Sequence, residues 1–330
     1  GGGVGSEEAG RQRLEAFLRD GLHRYEKDRS RADIRGGRSP VSVLSPYLRW
    51  GQISASTLHY AVKDMHASGK ITKEQTKTFG RRLFWRDLAY FQLKGFPSMR
   101  HVPIRSHYKD HPWPGESRKS LLEKWQQGRT GYPMVDAAMR ELWATGWVQQ
   151  SARMVVASFL VEYLGISWRH GLEWFRETLV DEDPAINAMM WQNAGRCGID
   201  QWNFWLDPSS GSQDPTGSYI KRWVPELKRL PKKYLHKPWT ADNRTLQTAG
   251  VILGETYPHR VVTDLRSARA VTVAGLRRMR ETTKNFIDEQ GYDIVHLPDG
   301  SKTRVFTRRE FRGNKTNAAR GGGGGGDDDD

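Results

Sequence analysis

The chain has 330 residues, 37% of them hydrophobic and 13 of them tryptophan, enough for one large domain or two ordinary ones. Lysine and arginine number 52 against 38 aspartates and glutamates, which gives a formal net charge of +14 at pH 7. This balance favours a polyanionic partner, nucleic acid above all, although solubility alone would also account for it. No apolar run is long enough to span a bilayer, no signal peptide is predicted, and the single cysteine, Cys197, excludes a disulfide framework.

The N-terminal region predicts a short flexible segment and then a helix. Residues 1–10 are rich in glycine and are expected to be flexible. The stretch 11–25 has the apolar spacing of an amphipathic helix. Its apolar side consists of Leu14, Phe17, Leu18 and Leu22.

Two serines precede the next predicted helix, which starts at Pro46. Ser42 and Ser45 stand where a side chain can cap the helix or can bind phosphate together with free backbone N–H groups. The residues alone leave both roles open. Further along, FGRRLFWRDLAYFQL (79–93) predicts a helix whose aromatic side chains belong to a core. The histidines of residues 101–113 are too irregularly spaced for a metal site, and no metal site is predicted.

The central stretch, 128–205, predicts three consecutive helices. Pro133 can begin the first and Gly146 can end it, the second is apolar, and the third begins near residue 168. One arginine, Arg153, interrupts the apolar second helix, and two carboxylates, Asp181 and Asp183, follow the third. Because a buried charge is costly unless it is paired, these residues predict an Arg–Asp pair. The pair either ties helices together or forms the polar wall of a site.

The C-terminal third is basic and polar. A turn-rich loop (207–217) and a helix (219–227) come first, and residues 241–320 predict a partly ordered extension with one more helix or strand from residue 251 onward. Residues 321–330 contain only glycine and aspartate and are expected to be disordered. Neither a βαβ alternation nor a G-x-G-x-x-G fingerprint supports a dinucleotide-binding α/β fold.

Several long motifs resemble those of the photolyase/cryptochrome family. They are SVLSPYLRWGQIS, GRTGYPMVDAAMREL, TGW, ARMVVASFLV, DEDPAINAMMW and RWVPEL, which stand in the family's order between about residues 25 and 239. The resemblance implies an all-α fold, with a multi-helix FAD-binding domain over residues 11–240. It also implies that the N-terminal α/β domain of full-length members, with its antenna chromophore site, is not in this chain. The blocks RRLFWRDLAYFQL and GIDQWNF favour the plant and algal branch.

The resemblance assigns the cofactor site residue by residue. Ser42 and Ser45 belong to the segment that cradles the flavin diphosphate, Arg153 faces the ring with Asp181 as its partner, and Asn187 tunes the reactive ring nitrogen. An amide group does not ionise near neutral pH and so cannot transfer a proton to the ring, which favours the fully reduced anionic flavin. The full implied set is Tyr25, Ser42, Val43, Leu44, Ser45, Phe79, Arg86, Trp147, Gln150, Arg153, Asp181, Asp183 and Asn187.

Three tryptophans match the family's electron-transfer chain. The resemblance places Trp191 nearest the flavin, Trp168 next and Trp113 at the surface. For any single tryptophan, core packing is the commoner role.

The implied DNA and lesion site is mixed. Trp85 and Met154 match residues that touch a pyrimidine dimer, and Arg29 matches an arginine that contacts phosphate. Arg82 and Asn193 occupy two further lesion positions, where many relatives have glutamate and tryptophan. In the same pocket, glutamine stands at position 150 in place of asparagine and serine at 151 in place of arginine. The family's paired histidines are replaced by glutamine at 149 and 150, which disfavours repair of (6-4) photoproducts.

Three functions remain open from the sequence. The first is a lyase that uses blue light and reduced FAD to split cyclobutane pyrimidine dimers, favoured by Asn187, Trp85, Met154 and the basic charge. The second is a cryptochrome-like photoreceptor with a signalling partner, favoured by Arg82 and Asn193. The third is a DNA-binding fragment without active flavin. The expected partner is UV-damaged DNA, and the expected location is a DNA-containing compartment inside the cell.

Overall fold

The computed structural model describes residues 5–34, 39–200 and 206–312, and these residues are mainly helical, as predicted. The longer segments are joined by short 3₁₀ turns. The α-helices are α1 (Glu7–Ala16), α2 (Tyr25–Asp28), α3 (Ser45–Arg49), α4 (Ala55–Ala67), α5 (Lys77–Gly95), α6 (Lys119–Gln126), α7 (Pro133–Thr145), α8 (Gln150–Ser158), α9 (Trp168–Thr178), α10 (Pro184–Ala194), α11 (Ser218–Trp223), α12 (Lys232–Leu235), α13 (Asn243–Ala249) and α14 (Leu265–Thr282). Two strands, β1 (Asp293–His296) and β2 (Lys302–Val305), form an antiparallel hairpin. No helix of the described ranges has the length and apolar character needed to cross a membrane.

The chain becomes helical earlier than predicted. The Ser6 hydroxyl accepts a hydrogen bond from the Ala9 N–H at 3.1 Å, which caps α1 at Glu7. The expected flexible segment 1–10 is therefore wrong from Glu7 onward. The helix predicted for residues 11–25 is confirmed, because α1 continues through a π turn (Phe17–Gly21) and a 3₁₀ turn into α2.

The three central helices follow the sequence signals closely. Helix α7 begins at Pro133, whose missing N–H costs nothing in the first turn, and ends at Gly146 in the left-handed conformation with φ 67°. The Gly146 N–H closes the helix on the Leu142 carbonyl at 2.8 Å. Helix α8 continues into a π turn (Phe159–Tyr163), and α9 starts at Trp168.

The described residues contain two apolar cores. The larger core centres on α7, α8, α9 and α10. The smaller core joins α1, α4 and the start of α5. Its buried members are Leu14, Phe17, Leu22, Leu44, Ile53, Leu58, Val62, Ile71 and Phe79.

The segment after residue 240 packs on the helical body. The Tyr257 hydroxyl donates to the buried Asp136 carboxylate at 2.7 Å, and the Tyr132 hydroxyl donates to the Val262 carbonyl at 2.7 Å. Burial raises the pKa of Asp136, although hydrogen bonds from Thr130 and Tyr257 act against that rise. The helix or strand expected from residue 251 onward does not form over residues 251–257, which contain one isolated bridge between Leu253 and Tyr257; the next helix, α14, starts at Leu265. The tail 321–330 lies outside the described residues.

A buried carboxylate holds the hairpin to the body. Asp293 on β1 accepts hydrogen bonds from Arg105 at 2.7 Å and from the Tyr108 hydroxyl at 3.0 Å. It also pairs with Arg280 and His107. Two arginine charges thus converge on one acid and join the hairpin and α14 to the turn at 106–110.

Candidate functional site

A cavity of about 310 Å³ lies between the two apolar cores. Its volume falls within the range of small-molecule and cofactor sites. Apolar side chains of both cores form much of its wall. All thirteen residues predicted to bind a cofactor line this one cavity: Tyr25, Ser42, Val43, Leu44, Ser45, Phe79, Arg86, Trp147, Gln150, Arg153, Asp181, Asp183 and Asn187.

The predicted Arg–Asp pair forms inside this wall. Arg153 Nη2 donates to both carboxylate oxygens of Asp181, at 2.7 and 3.0 Å, and Arg153 Nε donates to the Val148 carbonyl at 2.8 Å. The Asp181 side chain is 2% exposed and that of Arg153 is 20% exposed. The carboxylate therefore fixes the guanidinium, which still presents part of its surface to the cavity.

Asp183 lines the cavity and also stabilises the surrounding structure. Its Oδ1 accepts the N–H groups of Ala185 and Ile186 at 3.0 Å each, which caps α10. Its Oδ2 accepts the Tyr90 hydroxyl of α5 at 2.7 Å. Burial, followed by this carboxylate, raises the pKa of Tyr90. Asn187, one turn into α10, donates from Nδ2 to the Leu172 carbonyl at 3.2 Å.

The loop before α3 is held in a strained shape. Val43 has φ 52°, which is unfavourable for a β-branched residue. Arg13 Nε donates to the Ser42 carbonyl at 2.7 Å, and Trp147 Nε1 donates to the Ser45 hydroxyl at 3.0 Å. These contacts from α1 and from the α7–α8 connection keep the loop against the cavity.

An aromatic cluster forms another part of the wall. The Tyr25 and Phe79 rings meet edge to face with centroids 5.4 Å apart. Burial raises the pKa of Tyr25, and a hydrogen bond with Arg82 acts in the opposite direction. Arg82 is therefore bound to the cofactor side of the cavity, although it is exposed to solvent.

The five predicted lesion residues separate into two groups. Arg82, Trp85 and Met154 line the cavity. Arg29 lies outside the lining, where it pairs with Glu26 at 3.2 Å. Asn193 is 2% exposed and lies outside the lining as well, so the structure does not bring it to the cavity with the other three. Residues two apart on a helix point about 200° apart, so Asn193 faces away from the cavity that Trp191 faces.

The three predicted electron carriers lie on connected elements. Trp191 on α10 is buried and lines the cavity, Trp168 at the start of α9 is buried outside the lining, and Trp113 is half-buried. The Gly115 N–H donates to the Gly165 carbonyl at 2.9 Å, which holds the loop carrying Trp113 against the segment that leads into α9.

The sequence did not predict three further residues of the site. Arg49 of α3 lines the cavity and donates to the Glu182 carbonyl. Gln149 also lines it, and its buried Oε1 has no hydrogen-bond partner within the described residues. Trp125 packs edge to face against Trp191 with centroids 6.3 Å apart. Arg49 lies inside the quoted motif 42–54, Trp125 lies three residues before the motif that starts at residue 128, and Gln149 stands at the family's paired-histidine position. A local signal therefore existed for each of them.

No group of three or more histidine, cysteine, aspartate or glutamate side chains is placed to hold a metal ion in the part of the chain that the structure describes. Cys197 is fully buried, and burial raises the pKa of its thiol far above the ordinary value. Such a thiol is a poor nucleophile.

Comparison with known proteins gives a consistent result. Residues 79–278 match the family model described as the FAD binding domain of DNA photolyase. The chain is 37% identical over 275 residues to a deoxyribodipyrimidine photo-lyase of Agrobacterium fabrum, covering 82% of this chain and 56% of that protein. It is 35% identical over 264 residues to cryptochrome-1 of Arabidopsis thaliana, covering 77% of this chain and 38% of that protein.

Solved structures agree with the sequence comparison. The fold matches a bacterial class III photolyase from Agrobacterium tumefaciens with a TM-score of 0.78 and 35% identity, over 84% of this chain and 56% of that one. It matches a cryptochrome of Synechocystis with a TM-score of 0.73 and 33% identity, over 81% of this chain and 55% of that one. The chain thus spans little more than half the length of either structure. Bacterial photolyases and plant cryptochromes both occur among the relatives, so the plant or algal branch stays a prediction.

Proposed function

The chain belongs to the photolyase/cryptochrome family, and we propose that it uses FAD and blue light to split cyclobutane pyrimidine dimers in DNA. One observation carries this proposal. Trp85 and Met154, which match dimer-contacting residues, line the same cavity as the Arg153–Asp181 pair. A base turned out of the DNA would therefore enter the space that the cofactor residues surround.

The residues present fit a flavin nucleotide. The buried Gln149 Oε1 lines the cavity without a hydrogen-bond partner within the described residues, as expected of an acceptor that meets a ligand donor. The strained Val43 holds a loop whose Ser42 and Ser45 hydroxyls can donate to a diphosphate. The apolar and aromatic wall suits a large flat ring.

Each polar residue then has a role in holding the cofactor. Ser42, Ser45 and Arg49 would hold the diphosphate, and Arg153, kept in place by Asp181, would bind the ring's polar edge. Asn187 would meet the ring with an amide that neither gains nor loses a proton near neutral pH. When bound, FAD supplies the light-driven one-electron chemistry.

The tryptophans supply the electron route between the cavity and the surface. An electron taken from an external thiol would enter at the half-buried Trp113, pass to Trp168 and reach Trp191 at the cavity wall. The Glu116 carboxylate accepts hydrogen bonds from the Ser167 N–H at 3.2 Å and from His170 at 2.8 Å, on either side of Trp168. This contact holds the Trp113 loop beside the second carrier.

Arg82 favours a second function, that of a blue-light receptor without repair. A guanidinium only donates hydrogen bonds, whereas the glutamate of dimer-splitting relatives accepts them from the damaged bases. Arg82 also binds Tyr25, which draws it toward the cofactor residues. In this alternative the same photochemistry would act on a protein partner.

A repair assay separates these functions. The chain is loaded with FAD, reduced, mixed with UV-damaged single-stranded thymine oligonucleotide and exposed to blue light, and dimers are counted before and after. We expect light-dependent loss of dimers that falls by roughly tenfold or more in Trp85→Ala, because one stacked base contact is worth about 1–3 kcal/mol.

The matched control is Trp143→Ala, which removes a tryptophan that is 71% exposed and lies outside the cavity lining. It should repair like the wild type. If the flavin-loaded wild type leaves the dimers intact while Arg82→Glu splits them, the receptor function is supported and repair by the natural chain is refuted.

A further inference from the structure

Helices α9 and α10 cross at two glycines, and each glycine lies under a predicted electron carrier. A Cβ added at Gly171 on α9 would lie 2.1–2.5 Å from three carbons of the Trp191 ring. A Cβ added at Gly195, directly after α10, would lie 2.4–2.9 Å from three carbons of Trp168. Carbon atoms in normal contact are about 3.5–4.0 Å apart. Neither site has room for a methyl group unless the ring moves.

The arrangement is reciprocal. Gly171 lies three residues after Trp168, and Gly195 lies four residues after Trp191. Residues three or four apart share a helix face, so each carrier sits one turn from the glycine that accepts the other carrier's ring. The same two contacts that bring the helices together therefore also fix Trp168 relative to Trp191.

Neither glycine has a conformational reason to be there. Both have negative φ, and Gly171 lies inside a regular helix, where glycine costs about 1 kcal/mol relative to alanine. A residue that weakens its own helix and gives space to a neighbouring ring is explained by that ring.

We propose that Gly171 and Gly195 are positioning residues that set the spacing of the electron carriers Trp191 and Trp168. The inference rests on the proposed electron route and extends it. Electron transfer slows steeply as the separation of donor and acceptor grows, so a ring displaced by a methyl group would pass its electron more slowly. The two glycines act on different steps, because Trp191 lines the cavity and Trp168 does not.

The test compares Gly171→Ala, Gly195→Ala and the control Gly80→Ala in the FAD-loaded chain. A Cβ at Gly80 on α5 would meet nothing within 4 Å, so this variant changes a helical glycine without a clash. The readouts are the rate of light-driven flavin reduction with an external thiol, the flavin fluorescence lifetime and FAD affinity in the dark.

We expect Gly171→Ala to slow photoreduction by roughly tenfold to a hundredfold, the effect of a displacement of about 1 Å at a reacting group. Its flavin fluorescence lifetime should lengthen, because Trp191 is the neighbouring quencher. Gly195→Ala should slow photoreduction while leaving the lifetime unchanged, because only Trp168 moves. Gly80→Ala should match the wild type in all three readouts.

Wild-type photoreduction in both Gly171→Ala and Gly195→Ala would overturn the inference. If Gly171→Ala does not bind FAD, the contact between Gly171 and the Trp191 ring is tested by the melting temperatures of the cofactor-free proteins. The double variant Gly171→Ala/Trp191→Phe should regain most of the melting temperature that Gly171→Ala loses, because the smaller ring leaves room for the methyl group. A double variant with the same low melting temperature as Gly171→Ala would refute the ring contact. A failure of the proposed function looks different: the wild type and Trp191→Phe would then photoreduce equally.

Discussion

At the scale of single residues, the site depends on the pairing of a buried arginine with a buried carboxylate. Arg153 keeps its guanidinium in an apolar wall because Asp181 binds it with two hydrogen bonds. The Glu177 side chain on α9 has a different environment, because it is exposed to solvent and lies outside the cavity lining. The two acids therefore provide a matched pair of substitutions.

Asp181→Asn should weaken FAD binding by roughly tenfold to a hundredfold, because a charged hydrogen bond worth about 2 kcal/mol is lost and the arginine is freed to move. Fluorescence titration of the cofactor-free chain with FAD measures this effect. Glu177→Gln should change the affinity by less than about threefold, because an exposed carboxylate outside the lining has little effect on a buried site. Equal losses in the two variants would refute the special role of the pair.

At the scale of elements, the sequence predicted well where the signals are local. Pro133 and Gly146 delimit α7 because both act on their own turn of backbone. The Arg153–Asp181 pair followed from the cost of leaving a buried arginine alone. Two features could not be predicted: which side of a helix meets the cavity, and which residues far apart in the sequence are in contact. The position of Asn193 outside the cavity lining could not be predicted, because α10 is apolar on most sides and its pattern does not show which side meets the cavity.

The β1–β2 hairpin and the Asp293 carboxylate that anchors it also combine a local signal with a long-range contact. The sequence LPDGS between β1 and β2 carries a local turn signal, and Gly300 has φ 83° there. Nothing local indicates that Asp293 meets Arg105, because 188 positions separate them. Tertiary packing alone brings them together.

Asp293→Asn should destabilise the chain by about 3–5 kcal/mol, because Arg105 and Arg280 would keep their charges in a buried place without a counter-ion. Chemical unfolding of the two proteins measures the difference. Asp299→Asn in the nearby turn is the control, since its exposed carboxylate accepts hydrogen bonds from Ser301 and faces no buried arginine among the described residues. A loss in Asp293→Asn no larger than in the control would contradict the anchor.

The same carboxylate predicts an acid dependence. Burial alone would raise the pKa of Asp293, but the hydrogen bond from His107 and the charges of Arg280 and Arg105 hold it well below its ordinary value. A depressed carboxyl pKa stabilises the fold above the unfolded-state pKa of about 3.9 and loses that contribution as the pH falls below it. Melting temperatures between pH 7 and pH 3 should therefore fall more steeply below pH 4 in the wild type than in Asp293→Asn. Parallel curves would rule out this linkage.

At the scale of the whole molecule, the cofactor cavity and the C-terminal segment belong to one packed body. Tyr257 is fully buried and donates to Asp136 in α7, and the Val261 N–H donates to the Thr130 carbonyl at 2.9 Å. Helix α7 in turn leads into the Trp147 segment of the cavity wall. A boundary at residue 240 would cut through these contacts.

A chain ending at residue 240 should fail to fold cooperatively, because Asp136 and several apolar side chains would lose their cover. A chain ending at residue 312 should unfold like the full-length chain. Circular dichroism during heating compares the three. Cooperative unfolding of the shorter chain at the full-length melting temperature would show that the C-terminal segment is only an appendage.

The central claim is that the cavity holds FAD and that three tryptophans connect it to the surface. Its most direct measurement is the absorbance of the FAD-loaded chain during blue-light exposure with a thiol, in the wild type and in Trp191→Phe, Trp168→Phe and Trp113→Phe. We predict that the flavin of the wild type is reduced during the exposure, and that the rate of reduction is at least about tenfold lower in each variant. A loaded chain whose flavin is reduced equally fast in all four proteins would contradict the account.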